Sequence, residues 1–478
     1  MFKIIIIKCI LLVIFFISLT FGQNPDLWDK PTIRYLKKGR IGLEVSIPNK
    51  LGLKFFAFHG AINRFIKPNE FGDFYGEVTE PDAKNNIWTY SNKDVTFNEN
   101  DVLYYWYHYQ INSIQQDSLA EQIAADKIDI PKGPCKKSHT LISGKAVSCS
   151  GEIIFEETFE NLNWNQWKRE IRIPAEDSAF ISYQDRAENV FIKDNNLNIL
   201  LTTPYSESEI RDINNTIAFA KCTAPRDSDQ CDRKNSFWQI YPPVVSAKLL
   251  SSFSFLYGKI EIRAKMPIGD WIIPQLLLEP KNYEYSNKDS LEYSSGQLRV
   301  GFIRGNRQIL DLKSQATNLD GRTLYGGAIL EPRKFGRHFL KTKMQEKHYG
   351  EDFHIYALVW TENNIELYVD DIKYGTIEKG LWHKIQGKPS ILSNIKDGRV
   401  NYWSSAGNLM APFDKEFVIS LGVSVGGMGD FPDDIKKPWT NNDIKAEIMF
   451  YKDKKNWKKS WDDNKPALIV DYVRVYSV

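Results

Sequence analysis

Residues 253–306 read FSFLYGKIEIRAKMPIGDWIIPQLLLEPKNYEYSNKDSLEYSSGQLRVGFIRGN. Within this stretch Gly258–Met266 alternates: Ile260 and Ile262 fall on one face, Lys259, Glu261 and Arg263 on the other. That pattern predicts a strand with one buried and one wet side. Pro267 and Gly269 then predict a turn, Trp271–Leu278 an apolar run interrupted by Pro274, and Gln297–Ile303 the start of another strand. Strands joined by turns, with no helical period between them, point to an all-β domain.

With those residues in view, the stretch resembles the laminarinase-type β-1,3-glucanases of glycoside hydrolase family 16. Those enzymes carry "YGKxExRAKxPxGDW", a "WPAIWLLP" strand and then "SGEIDIMESRGN". Retaining hydrolysis needs two carboxyls roughly 5–5.5 Å apart, one as nucleophile and one as acid/base. Residues two apart on a strand share a face, so Glu-x-Asp followed by a bulge and Glu aims three carboxyls into one cleft. Here Ser295-Gly296 and Arg304-Gly305-Asn306 keep the frame without a gap. The resemblance puts Gln297 at the nucleophile position, Arg299 at the helper aspartate and Phe302 at the acid/base. An amide and a phenyl ring supply neither nucleophile nor proton shuttle. The expectation is a glucanase fold that is not an enzyme.

The groove departs from the enzymes elsewhere too. Ile273 and Leu277 stand where they have tryptophans, and Thr323-Leu324-Tyr325-Gly326-Gly327 replaces their "TLHWG". Glu279, Glu284 and Glu292 are the nearby carboxyls that could stand in, and all three read as solvated loop charges. An active β-1,3-glucanase therefore stays as the alternative that these residues disfavour.

The chain has 478 residues, 42% hydrophobic and 13% aromatic, enough for two or three globular cores. Met1–Gly22 has a basic start, a long apolar run and a small-residue end, which reads as a signal peptide with a mature chain beginning near Gln23. An uncleaved anchor is the alternative. Lys3 and Lys8 account for the excess of 62 basic over 60 acidic residues. A balanced mature chain argues against nucleic acid as a partner. Cys9 leaves with the signal, and Cys135, Cys149, Cys222 and Cys231 remain. An even number suits an oxidising, extracellular compartment. Three pairings are open; the sequence-local one, Cys135–Cys149 with Cys222–Cys231, is expected. No cysteine or histidine spacing suggests a metal site, and no cofactor is called for. Asn214-Asn215-Thr216 is a glycosylation sequon.

Residues 23–125 read as a small all-β domain, with Ile41–Ile47, Leu53–Phe58, Ile87–Tyr90 and Val102–Tyr109 as strands, fitting an immunoglobulin-like sandwich. Gly42–Pro48, Lys54–Gly60, Asn86–Tyr90 and Asn100–Trp106 match, in order, motifs of carbohydrate-binding module family 39 from insect β-1,3-glucan recognition proteins. The resemblance implies glucan binding by Trp88, as a flat platform against sugar C–H faces, with Asn49, Lys50, Asn92, Lys93 and Asp94 around it. A core role for Trp88 is the alternative, and Trp106, Tyr105, His59 and His108 read as structural. Residues 126–150 read as a polar linker, preceded by a short helix over 115–128.

Residues 151–478 resemble the family 16 fold nearly end to end, from Ile153–Phe159 through Phe353–Asp370 to Val470–Tyr476, which implies a β-jelly-roll (concanavalin-like) sandwich. Together the halves resemble insect β-1,3-glucan recognition proteins, also called Gram-negative-bacteria-binding proteins. The resemblance implies a secreted pattern-recognition protein for microbial glucan that triggers a serine-protease cascade toward Toll or prophenoloxidase, with glucan-induced self-association as a family expectation. A protein-interaction scaffold with lost sugar binding is the second alternative.

Overall fold

The computed structural model describes residues 30–37, 39–82, 87–129, 136–175, 178–224, 228–285, 293, 295–312, 319–330, 339–381, 403, 405–464 and 466–478. The signal-peptide reading, Cys135 and Glu292 lie outside the described residues. The chain divides into two compact units, 1–135 and 136–478.

In the first unit, alternating apolar residues close a sandwich of two antiparallel sheets. One sheet joins Thr32–Lys37, Ile41–Pro48 and Ile87–Thr96; the other is built on Leu53–Ile62 and Val102–Ile111. Tyr35, Leu43 and Val45 from the first meet Phe56, Phe58, Leu103 and Tyr105 from the second in one core. The four strands expected from alternation are all present, each extended past its expected end.

The helix expected over 115–128 is absent. Ile114–Asp117 and Glu121–Ala124 are instead strands paired with Val102–Ile111, followed by the single 3₁₀ turn Ala125–Lys127. Val102–Ile111 has room for both segments along one edge, and this pairing overrides their local helical preference. Residues 126–150 are not a free linker among the described residues. Ala125 and Ile128 are in the small core, and Tyr35 N–H donates to Asp129 O at 2.7 Å. Beyond Lys136 the chain belongs to the second unit, where the hairpin Leu141–Ile142/Lys145–Ala146 pairs through Ile142 with Phe255. Ser143 (φ 50°) and Gly144 (φ 75°) form its two-residue turn, the geometry that matches strand twist. Polar, glycine-bearing sequence suits such an edge hairpin as well as it suits a linker.

The second unit is a large sandwich of a nine-stranded and an eight-stranded sheet around one core. In the nine-stranded sheet Lys248–Leu256, Phe417–Val425, Ile272–Pro280, Gln297–Phe302, Thr323–Ile329 and Phe339–Met344 follow one another as neighbours. In the eight-stranded sheet Ala467–Tyr476, Gly258–Lys265 and His354–Trp360 are adjacent. Gly258–Lys265 alternates as the sequence predicts, with Ile260 and Ile262 fully buried.

Candidate functional site

The nine-stranded sheet carries the candidate positions Gln297, Arg299 and Phe302 on the strand Gln297–Phe302. Gly296, at φ 73°, turns the chain into this strand where a Cβ would meet the Phe413 ring at 2.5 Å, a position that suits glycine. The pairing with Thr323–Ile329 shifts register between Arg299 and Phe302, where the enzymes' carboxyl spacing calls for a bulge. The three positions accordingly share one face. Arg299 Nε donates to Gln297 Oε1 at 3.1 Å, and the Arg299 guanidinium lies 4.4 Å over the Phe302 ring. Phe302 stacks on Tyr325, centroids 5.2 Å apart.

The rest of the motif holds the fold. Asn306, almost fully buried, accepts from Trp271 N–H and donates to Asp270, both at 3.0 Å. Gly305 N–H donates to Ile272 O, and Arg304 Nε to Asp430 O. These bonds pin the Pro267–Trp271 turn against the strand, which gives Arg-Gly-Asn a structural reason to stand here.

Around the three positions the groove is filled by paired charges. Arg299 Nη1 binds both Asp430 oxygens, at 2.9 and 3.1 Å, with both side chains under a tenth exposed. Gln297 Nε2 donates to Glu279 at 3.2 Å; Lys248 bridges Glu279 at 3.0 Å and Glu170 at 3.3 Å; Glu170 also holds Arg172. Burial alone would push the Lys248 ammonium down, but Glu170 and Glu279 outweigh it and hold it above the ordinary lysine value. Tyr183, fully enclosed, donates to Gln275 at 3.0 Å, and burial pushes its hydroxyl up to about 12. The cavity left among Tyr183, Lys248, Ile273, Glu279, Gln297 and Arg299 is about 30 Å³. That is the scale of a water molecule, where ligand pockets run to hundreds of Å³.

One reading of the stand-in carboxyls is corrected. Glu279 is not a solvated loop charge: it lies on the strand Ile272–Pro280, which presents Ile273, Gln275 and Glu279 to the groove and sets Glu279 beside Gln297. Its strand spacing was the available signal. Glu284 faces Lys415 at 3.6 Å and is about half exposed.

In the first unit Trp88 does not form a platform. It is 2% exposed within the small core, and its Nε1 donates to Asn49 Oδ1 at 2.9 Å. Ile87–Thr96 turns Trp88 and Tyr90 inward, so the indole's flat face packs against protein. Asn49 thus holds the indole edge, with Lys50 next to it in the turn and half-buried. Asn92 pairs across from Leu43, four residues along from the Trp88–Ile47 pair, and accepts from Asp94 N–H at 3.0 Å. Lys93 and Asp94 are exposed. The structure joins Trp88 with Asn49 and sets Asn92, Lys93 and Asp94 apart, about 13 to 20 Å down the strand.

Among the described residues, the large aromatics this unit presents most openly to solvent are Phe65, Phe71 and Tyr75. Phe71 and Tyr75 lie 4.8 Å apart; behind them His59 stacks flat on Trp106 at 4.1 Å. Trp106 Nε1 donates to Glu70 O at 2.7 Å, which ties down the loop carrying Phe71. The loop is short and polar around Phe71, and no period marks it in sequence.

Cys222–Cys231 is bridged, Cα atoms 5.4 Å apart. Cys149 is disulfide-bonded. Asn214 is exposed on a turn, its N–H donating to Asp212. Among the described residues no group of three or more His, Cys, Asp or Glu side chains is placed to hold a metal ion.

Residues 29–136 match CBM39, described as a carbohydrate binding domain (family 32), and residues 334–406 match glycosyl hydrolases family 16. The chain is 34% identical to the β-1,3-glucan-binding protein of Tenebrio molitor, over 91% of this chain and 93% of that protein. It is 33% identical to Gram-negative bacteria-binding protein 1 of Drosophila melanogaster, over 94% of each, and 32% identical to β-1,3-glucan-binding protein 2 of Manduca sexta, over 91% and 92%. With two sandwich units in the order its sequence predicts and identity of this level along almost its whole length, the chain belongs to the family of β-1,3-glucan-binding and Gram-negative bacteria-binding proteins.

Proposed function

We propose that this is a secreted pattern-recognition protein that binds microbial β-1,3-glucan without hydrolysing it and hands the signal to a serine-protease cascade. The observation that carries the non-catalytic half is the Gln297–Arg299–Phe302 cluster. Its polar members are tied to each other, to Glu279 and to Asp430, and a water-sized cavity lies where a sugar ring would have to sit. The binding half is supported by the names of the relatives and by the CBM39 match. Glucan contact falls to the first unit, through Phe71 and Tyr75, whose exposed rings offer the apolar faces that sugar C–H groups stack on. A polymer that engages many copies would convert weak single contacts into avid binding, and self-association on glucan is part of the proposal. Protease partners and glycosylation at Asn214 are part of the proposal. The test is co-sedimentation of the protein with insoluble β-1,3-glucan, in competition with soluble laminarin. Retention in the pellet supports the reading, and protein that stays in the supernatant favours the scaffold alternative.

A further inference from the structure

His59 is the hub of the aromatic face that carries Phe71 and Tyr75. It pairs directly with Tyr75 on one neighbouring strand and with Trp106 on the other, and opposed residues of an antiparallel sheet share a face. Three rings therefore stand in a row. Imidazole and indole are 4.1 Å apart and 3° from parallel; imidazole and the Tyr75 ring are 5.9 Å apart and 9° from parallel. Phe71 lies 5.7 Å from the same imidazole and His108 5.8 Å. The loop bearing Phe71 is fastened to the residues beside His59, by Trp106 Nε1 to Glu70 O at 2.7 Å and by Asp73 N–H to Gly60 O at 2.8 Å.

The imidazole is 5% exposed, and among the described residues neither Nδ1 nor Nε2 has a hydrogen-bond partner; the Phe71 backbone faces the ring without closing one. Buried side chains with both polar atoms unsatisfied are rare in native folds and call for a reason. Phenylalanine would fill the same slot without desolvating two nitrogens. What imidazole adds is a charge that appears as pH falls. The charged and titratable groups facing it are Glu77 on Phe74–Val78, Asp117 on Ile114–Asp117 and His108 on Val102–Ile111. Burial and then His108 lower its pKa, and the two carboxylates, both on exposed side chains, oppose this only in part. Neutral imidazole is thus the form the row holds. An imidazolium gains attraction to the Trp106 face but encloses two N–H donors without acceptors. Water and the carboxylates of Glu77 and Asp117 would satisfy them, and reaching these takes the ring out of the row.

We propose that His59 is a positioning residue that couples glucan capture to pH: neutral, it backs Phe71 and Tyr75; protonated, it leaves the row and the two rings lose their common support. The inference rests on the reading that those two rings contact glucan. The sign follows from the depressed pKa. The binding-competent form is complete above the ordinary histidine value of 6.5 and is lost as pH falls through the lower folded value. Apparent affinity then drops by up to about tenfold for each pH unit below that folded value, because the competent fraction does.

The experiment measures co-sedimentation of the full mature chain with insoluble β-1,3-glucan between about pH 7.5 and about pH 4.5, with circular dichroism at each pH to follow the fold. The parent should bind at least about tenfold more weakly at the acid end while its circular dichroism is unchanged. In His59→Phe the ratio of the two affinities should shrink to within about twofold, whatever the affinity at neutral pH. A second measurement needs only the parent's binding: soluble laminarin must lower the His59 pKa in a histidine-labelled NMR titration, since coupling between ligand and proton is reciprocal. The His59 signal is the one missing from His59→Phe, or from His59→Gln should the first variant fold poorly. A flat parent profile, a His59→Phe profile equal to the parent's, a His59 pKa unmoved by laminarin, or affinity lost only together with the circular dichroism would each overturn the inference. A folded parent that stays out of the pellet at every pH overturns the glucan reading and this inference with it, whereas one that pellets with a flat profile overturns this inference alone.

Discussion

Replacing Arg299 by Leu tests whether the strand Gln297–Phe302 is held by buried charge. Arg299 and Asp430 are each under a tenth exposed and joined by two hydrogen bonds. Leucine keeps most of the volume but leaves the Asp430 carboxylate without that partner, and it removes the bond to Gln297 and the stack on Phe302. Breaking one side of a buried pair costs about 3–5 kcal/mol. For a unit of this size, about 2 °C per kcal/mol gives a fall in Tm of roughly 6–10 °C. The double variant Arg299→Leu/Asp430→Leu removes both charges and should recover to within about 1 kcal/mol of the parent, since an apolar pair can replace a buried ion pair. Urea denaturation followed by tryptophan fluorescence measures both. A single-variant loss under about 1 kcal/mol, or a double variant that loses the sum of both singles, would refute the reasoning.

The remaining predictions concern both units. Trp88→Ala should lower the stability of the first unit by about 3–5 kcal/mol, because it empties a core position, whereas Tyr75→Ala should weaken glucan co-sedimentation with little change in Tm. His348 is 4% exposed, with Nδ1 accepting from Gly350 N–H at 2.9 Å and Nε2–H facing Gly305 O at 3.1 Å. Its pKa is lowered, first by burial, and so is that of His59. A base with a depressed folded pKa stabilises above its unfolded value and loses that contribution as pH falls. Tm should therefore drop from about pH 6.5 downward. His348→Asn should flatten part of that slope, and a slope identical to the parent's would contradict the assignment. Gly321→Ala would drive its methyl into the His348 ring and should cost about 1–3 kcal/mol or more in thermal denaturation.

Much of this architecture was legible in the residues. Alternation in Gly258–Lys265 and Val102–Ile111 gave the strands and their buried faces, because a period of two has few other solutions. The Ser-Gly and Arg-Gly-Asn frame picked out Gln297, Arg299 and Phe302, and the structure brings these three side chains together. What lay beyond reach depended on tertiary pairing. Segment 115–128 forms strands because Val102–Ile111 has an open edge, which local composition does not report. Trp88 on a short strand flanked by polar residues looks like a surface tryptophan until inward alternation with Tyr90 is known. Glu279 had the same hidden signal, at even spacing from Ile273 and Gln275.

The most direct test of recognition without hydrolysis is to incubate the mature chain with laminarin, assay new reducing ends, and measure the pellet fraction with insoluble β-1,3-glucan on the same preparation. The account predicts protein in the pellet and no reducing sugar above the buffer blank. Sugar release that disappears in Glu279→Gln, the carboxylate beside Gln297, would contradict it and return the protein to the hydrolases.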